Sequence, residues 1–223
     1  MNGMMNADLI NRTIRFLYEK FDGSEYLTEN PERKIYRIEH SFRVANIGRQ
    51  IAEKEGFDET EIVIACLLHD VSYCERFGEG GWINHGRSAA RIARPFLHEL
   101  GLPEDRIGDI CYGIAIHVDD KADFEGEATP FALTVGDADN LDRFDVYRIH
   151  ETLSSTGFLT KPYDDKVGWT TDFIEGLKKN RNAPHGTRTA DLLWEKRLDF
   201  CISYYEKLLS QLKNSAGIVN GLQ

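Results

Sequence analysis

Three of the seven histidines, His40, His69 and His117, fall where the apolar periodicity of the chain points inward, and His69 is followed at once by Asp70 in the stretch IACLLHDVSY. Burying such groups without partners costs on the order of several kcal/mol, so something must satisfy them. A lone histidine on an apolar face is most often a hydrogen-bonded core residue. Three of them on three helices, with His85 opening a fourth, match the way an all-helical protein gathers imidazoles and carboxylates into a buried metal site. The donor types favour a divalent first-row ion, Mn, Fe, Co, Ni or Zn, without choosing among them. Such an ion lowers the pKa of a coordinated water. Consecutive helical residues diverge by about 100°. His69 and Asp70 therefore reach one ion only if their helix ends there, and the residues downstream suit such an end.

The elements that must position these groups read as helix after helix. His40 shares a face with Val44, Ile47 and Ile51 in a helix over 35–55, which Gly56 ends. Asp58 with Glu61 resembles a capping box opening the apolar helix EIVIACLLHD. Next comes YCERFGEGGWINHG, whose glycines at 78, 80 and 81 predict a loop placed to act as a lid. A helix resumes at His85, with Pro95 expected to kink it, and the following one puts Ile107, Ile110, Cys111, Ile114 and His117 on one face. Thr129 and Pro130 form a cap and first-turn proline for a helix FALTVGDADNLDRFDVYRIHETL, which carries Asp137, Asp139 and Asp142. The Gly-, Pro- and basic-rich segment 154–189 reads as loop-rich, and a last amphipathic helix spans about 190–212. No stretch alternates long enough to demand a sheet.

A chain of 223 residues suits one domain that needs no disulfide staples. The expectation is a single-domain all-α helical bundle over 30–213, preceded by a helical extension over 1–29 and followed by a frayed tail over 214–223. A net charge of −10 argues against a DNA or RNA surface and against anionic lipid, so an anionic substrate needs cations placed locally. Cys66, Cys74, Cys111 and Cys201 lack CxxC spacing and read as reduced thiols of a cytoplasmic protein. No signal peptide or membrane span is expected.

The order of these motifs resembles the HD-domain superfamily of metal-dependent phosphohydrolases. His40 in RIEHSFRVANIGRQIA matches the first histidine of that pattern, ACLLHD its His-Asp pair, and GDADNLDRF its final aspartate region. NHGRSAARIA, IAIHVDD and HGTRTADLLWEKRLDFCISYYEKL are similar to further blocks of small bacterial HD hydrolases, so the resemblance spans roughly residues 30 to 210. It implies an HD-type helical bundle and the metal ligands His40, His69, Asp70 and Asp139. The family's Ala-Asp-x-Leu pattern selects Asp139 in ADNL; helical spacing does not separate it from Asp137, which stays as the alternative. His85 and His117 occupy the region where binuclear members carry two extra histidines, so they either bind a second ion or line the substrate pocket as catalytic groups. Asp70 is the candidate to accept the proton of the attacking water. Among the cations, Arg43 and Arg188 are the expected substrate-binding residues because of their motif context.

The expected function is hydrolysis of a nucleotide or another small phosphate ester by a metal-activated water. Two alternatives stand beside it: an HD-fold di-iron oxygenase of a small substrate, and a non-catalytic binding protein stabilised by its metal. The expected partner is a small phosphorylated molecule. A homodimer is compatible with the sequence.

Overall fold

The computed structural model describes residues 6–78 and 81–216 and contains ten α-helices and no strand among them. The expected lid segment includes Glu79 and Gly80, and the expected frayed tail includes residues 217–223; both pieces lie outside the described residues. The contacts group the chain into two units. Among the described residues, the first holds those of 6–142 and 185–190, the second those of 143–184 and 191–216.

The first unit contains α1 (Ala7–Asp22), α2 (Glu25–Glu29), α3 (Pro31–Glu55), α4 (Glu59–Leu68), α5 (His85–Glu99), α6 (Glu104–Ile116) and α7 (Pro130–Asp142). Local chemistry sets their ends. α3 begins with Pro31, whose missing N–H costs nothing in a first turn, and stops at Gly56, which adopts φ 78° and returns its N–H to Ala52 O. Asp58 caps α4 by accepting from Glu61 N at 3.0 Å. Thr129 Oγ1 accepts from Ala132 N at 3.2 Å ahead of Pro130, the first residue of α7.

α4 is the centre of this unit: Ile62 through Leu68 are all buried, so the helix is covered on every side. α3 and α1 pack on it, and α6 and α7 close the remaining flanks. Burying each of its Leu and Ile side chains contributes about 1.5–3 kcal/mol. The approach of α3 depends on Gly48, where a Cβ would lie 2.6 Å from Cys66 Sγ and 2.9 Å from Ile62 Cγ2. α4 ends at Leu68, leaving His69 and Asp70 at its terminus with Asp70 at φ −107°, ψ 11°. Two short 3-10 turns, Val71–Cys74 and Gly81–Asn84, flank the glycine-rich stretch.

The second unit holds α8 (Val146–Ser155), α9 (Tyr163–Lys179) and most of α10 (Arg188–Asn214). Its interior is aromatic: Tyr205 of α10 meets Phe173 and Trp169 of α9 at ring separations of 4.6 and 6.0 Å. This unit differs from the sequence pattern in two places. The segment 154–189 is not loop-rich, since α9 occupies 17 residues of it. The helix expected to run from Phe131 past His150 is two helices, because Asp145 takes extended backbone and caps Val146 N at 2.7 Å. No helix among the described residues is long and apolar enough to cross a membrane. All four cysteines are free; Cys66, Cys111 and Cys201 are buried, and Cys74 is only partly so.

Candidate metal centre

Five helices deliver six donors to one point in the first unit. His40 comes from the middle of α3, His69 and Asp70 from the end of α4, His85 from the start of α5, His117 from the residue after α6, and Asp139 from the last turn of α7. The arrangement falls into two nests joined by Asp70. In the first, His40 Nε2 lies 3.1 Å from Asp139 Oδ1, 3.6 Å from Asp70 Oδ2 and 3.3 Å from His69 Nε2. His69 Nε2 lies 3.6 Å from Asp70 Oδ2 and 3.8 Å from Asp139 Oδ1. In the second, Asp70 Oδ1 is 3.2 Å from His85 Nε2 and 3.8 Å from His117 Nε2, and those two nitrogens are 3.0 Å apart.

The far side of each imidazole is tied down. His69 Nδ1 donates to Cys66 O at 2.7 Å, His85 Nδ1 to Trp82 O at 2.5 Å, and His117 Nδ1 to Ile114 O at 2.6 Å. A carbonyl can only accept, so each Nδ1 carries the proton and each Nε2 presents a lone pair to the cluster. His40 Nδ1 meets Asp142 Oδ2 at 2.8 Å, the carboxylate arrangement that fixes a metal-binding imidazole. Four ring nitrogens and two carboxylates turned toward one another suit a cation between them, and divalent transition ions fit that donor set.

The electrostatics of the metal-free cluster agree with that need. Burial opposes a proton on His40, yet its hydrogen bonds to Asp139 and Asp142 raise its pKa to about 9. Burial and the neighbouring His69 push His117 down to about 4. Asp70 and Asp139 are held below the usual carboxylate range: burial works the other way, but His69 and Arg37 act on Asp70, and His40 and His69 on Asp139.

The remaining candidates are placed as follows. Asp137 is buried and turned away from the nests, its Oδ2 accepting from Gly186 N at 2.9 Å. Arg43, expected at the substrate, forks onto Asp142 instead, Nε to Oδ1 at 2.8 Å and Nη2 to Oδ2 at 3.1 Å, and so braces the carboxylate that orients His40. Arg188 is the exposed first residue of α10, and no contact among the described residues carries it to the donors. Sequence reading missed Arg37. Its Nη1 donates to Asp70 Oδ2 at 2.5 Å, and its guanidinium lies 3.4 Å from the Tyr73 ring centroid. The signal for it was its place one turn before His40 on α3.

Residues 37–143, which contain all six donors, match the family model of the HD domain. A 100-residue stretch is 31% identical to Uncharacterized protein L432 of Acanthamoeba polyphaga mimivirus, covering 42% of this chain and 40% of that protein. The chain thus spans well under half the length of the curated relative it matches. The fold is similar to the crystal structure of a predicted HD superfamily hydrolase from an uncultured Thermotogales bacterium, with a TM-score of 0.59 at 20% identity over 92% of this chain and 91% of that one.

Proposed function

From a chain that belongs to the HD-domain superfamily through residues 37–143, we propose a phosphohydrolase that uses two divalent transition ions on a nucleotide or another small phosphate ester. The observation that carries this reading is the convergence of four tied imidazoles on the two oxygens of Asp70, with Asp139 completing the first nest. His40, His69, Asp70 and Asp139 would hold one ion, and His85, His117 and Asp70 the other. Ions bound there would supply a water acidic enough to ionise near neutral pH and positive charge for phosphoryl oxygens.

The chain's own groups do the rest. Asp70, buried and with one carboxylate oxygen turned to each nest, would hold both ions and could accept a proton from water activated there. The second nest has one carboxylate fewer than the first, so an ion held there would have fewer protein donors and could take a substrate oxygen. Arg37 brings a positive charge to the edge of the cluster in a protein of net charge −10. Phe77, against the His85 ring, offers an aromatic face of the kind a nucleobase stacks on, while Arg37 already covers a face of Tyr73.

The test is elemental analysis of protein purified without chelator, followed by a phosphate-release screen over nucleotides with that metal restored. Metal near about two per chain with phosphate release is the expected result. The same six donors also suit a di-iron oxygenase. Dioxygen consumption by the ferrous protein without phosphate release would move the assignment there.

A further inference from the structure

We infer that Arg87 and Asp119 are the positioning pair of the second nest, a forked brace that sets the gap between His85 and His117 and thereby governs whether that nest takes an ion. The inference rests on the two-ion reading above. Both histidines stand at helix termini, His85 as the first residue of α5 and His117 immediately after α6. Asn84 makes no side-chain cap for α5, and helix termini fray most readily, so something outside each helix must hold the pair in place.

Arg87 does this from one side chain. Its Nη1 donates to Asp119 Oδ1 at 2.7 Å and to Lys121 O at 3.1 Å; its Nη2 reaches Asp119 Oδ2 at 3.3 Å, Ile83 O at 3.4 Å and Asn84 Oδ1. One guanidinium therefore ties the turn before His85, the helix after it and the turn after His117. The register is symmetrical, with each member of the pair two residues downstream of its histidine. Arg87 and Asp119 are half-buried, with side-chain exposures of 13% and 21%, and their two-point arginine–carboxylate contact is directional.

A second observation points the same way. Gly86, between His85 and Arg87, lets α5 rest on the backbone at the end of α6. A Cβ there would come within 2.6 Å of Ala115 O, 2.9 Å of Ile114 O and 3.1 Å of His117 Nδ1. Ile114 O is the acceptor that fixes the His117 ring, so the brace clamps α5 directly onto the group that sets that ligand's tautomer. The first nest draws on α3, α4 and α7 and shares none of these contacts. Arg87 donates to no ligand atom among the described residues, which makes it a positioning residue.

The experiment is Mn(II) titration followed by electron paramagnetic resonance, with elemental analysis, on wild type, Arg87→Met, Arg87→Lys and Asp119→Asn. Arg106→Met is the control. Arg106 holds Glu61 and Asp109 with a similar network away from the nests. Wild type is expected to show two classes of site and a spin-coupled pair. In Arg87→Met the weaker class loses affinity by about 10–100-fold, the coupled signal fades, and the tighter class is unchanged. Arg87→Lys falls between, since the charge stays while the fork is lost. Arg106→Met lowers Tm with both classes intact. If Arg87→Met does not fold, the second-site affinities of Arg87→Lys and Asp119→Asn decide the question. Unchanged second-site affinity in the folded variants, or equal loss at both sites with native circular dichroism, would overturn the brace while leaving the two-ion reading standing. A wild type that binds one Mn overturns both.

Discussion

His40, Asp139 and Asp137 show how single atoms decide the chemistry. Asp139→Asn removes the anionic oxygen 3.1 Å from His40 Nε2 and is expected to strip the first nest of metal. Asp137→Asn should keep its metal, because an amide oxygen still accepts from Gly186 N, and should lose only about 1 kcal/mol of stability. Metal content after dialysis separates the two, and the reverse outcome would transfer the ligand role to Asp137. Protonation gives a second expectation. With its pKa raised to about 9, His40 carries a proton at neutral pH in the metal-free protein, whereas binding an ion requires its Nε2 lone pair. The first ion should therefore displace about one proton, and its apparent affinity should climb about tenfold per pH unit until the pH passes that pKa. Calorimetry in buffers of different ionisation heat reads the proton directly, and zero release would refute the assignment. His117, pushed down to about 4, is already neutral there and contributes nothing.

Helices carry these atoms to their places, and one glycine sets the closest approach in the core. Gly48→Ala would drive a methyl into Cys66 and Ile62, an overpacking that costs about 1–3 kcal/mol. Thermal unfolding should fall by roughly 2–10 °C for a chain of this size; an unchanged Tm would mean α3 and α4 separate freely. Much at this scale is legible in the sequence. The 3.6-residue rhythm puts His40 with Val44, Ile47 and Ile51, and all four are buried. The end of α4 at Leu68, which frees His69 and Asp70 to face one cluster, follows from the polar and glycine-rich sequence beyond it. α9 is hidden because its proline precedes the first turn, where no N–H is needed, and Gly168 and Gly176 meet nothing. Each glycine costs only about 1 kcal/mol, which burial of Ile174 and Leu177 offsets. Arg37 with Asp70 and Arg87 with Asp119 are not legible, since each joins residues more than 30 positions apart and periodicity carries no cross-helix pairing.

For the molecule as a whole, the cluster is a liability until it is filled. Four buried imidazoles, buried Asp70 and half-buried Asp139 share a small volume, and an ion that binds only the folded state stabilises it by mass action, about 2.7 kcal/mol at a hundredfold excess over Kd. Chelation should lower Tm by several degrees and Mn(II) should restore it; an unaltered melt after complete metal removal would contradict a centre built for ions. The path of the chain through the first unit has a different kind of consequence. Residues 185–190 belong to that unit, where Gly186 N bonds Asp137 and Thr189 N bonds Glu55 Oε1 at 2.8 Å, although residues 143–184 intervene. On a ribosome, where segments emerge in order, all six metal donors leave the exit tunnel well before the piece that seals the back of α7. All six donors are therefore synthesised before the segment that packs against the back of α7 and the end of α3.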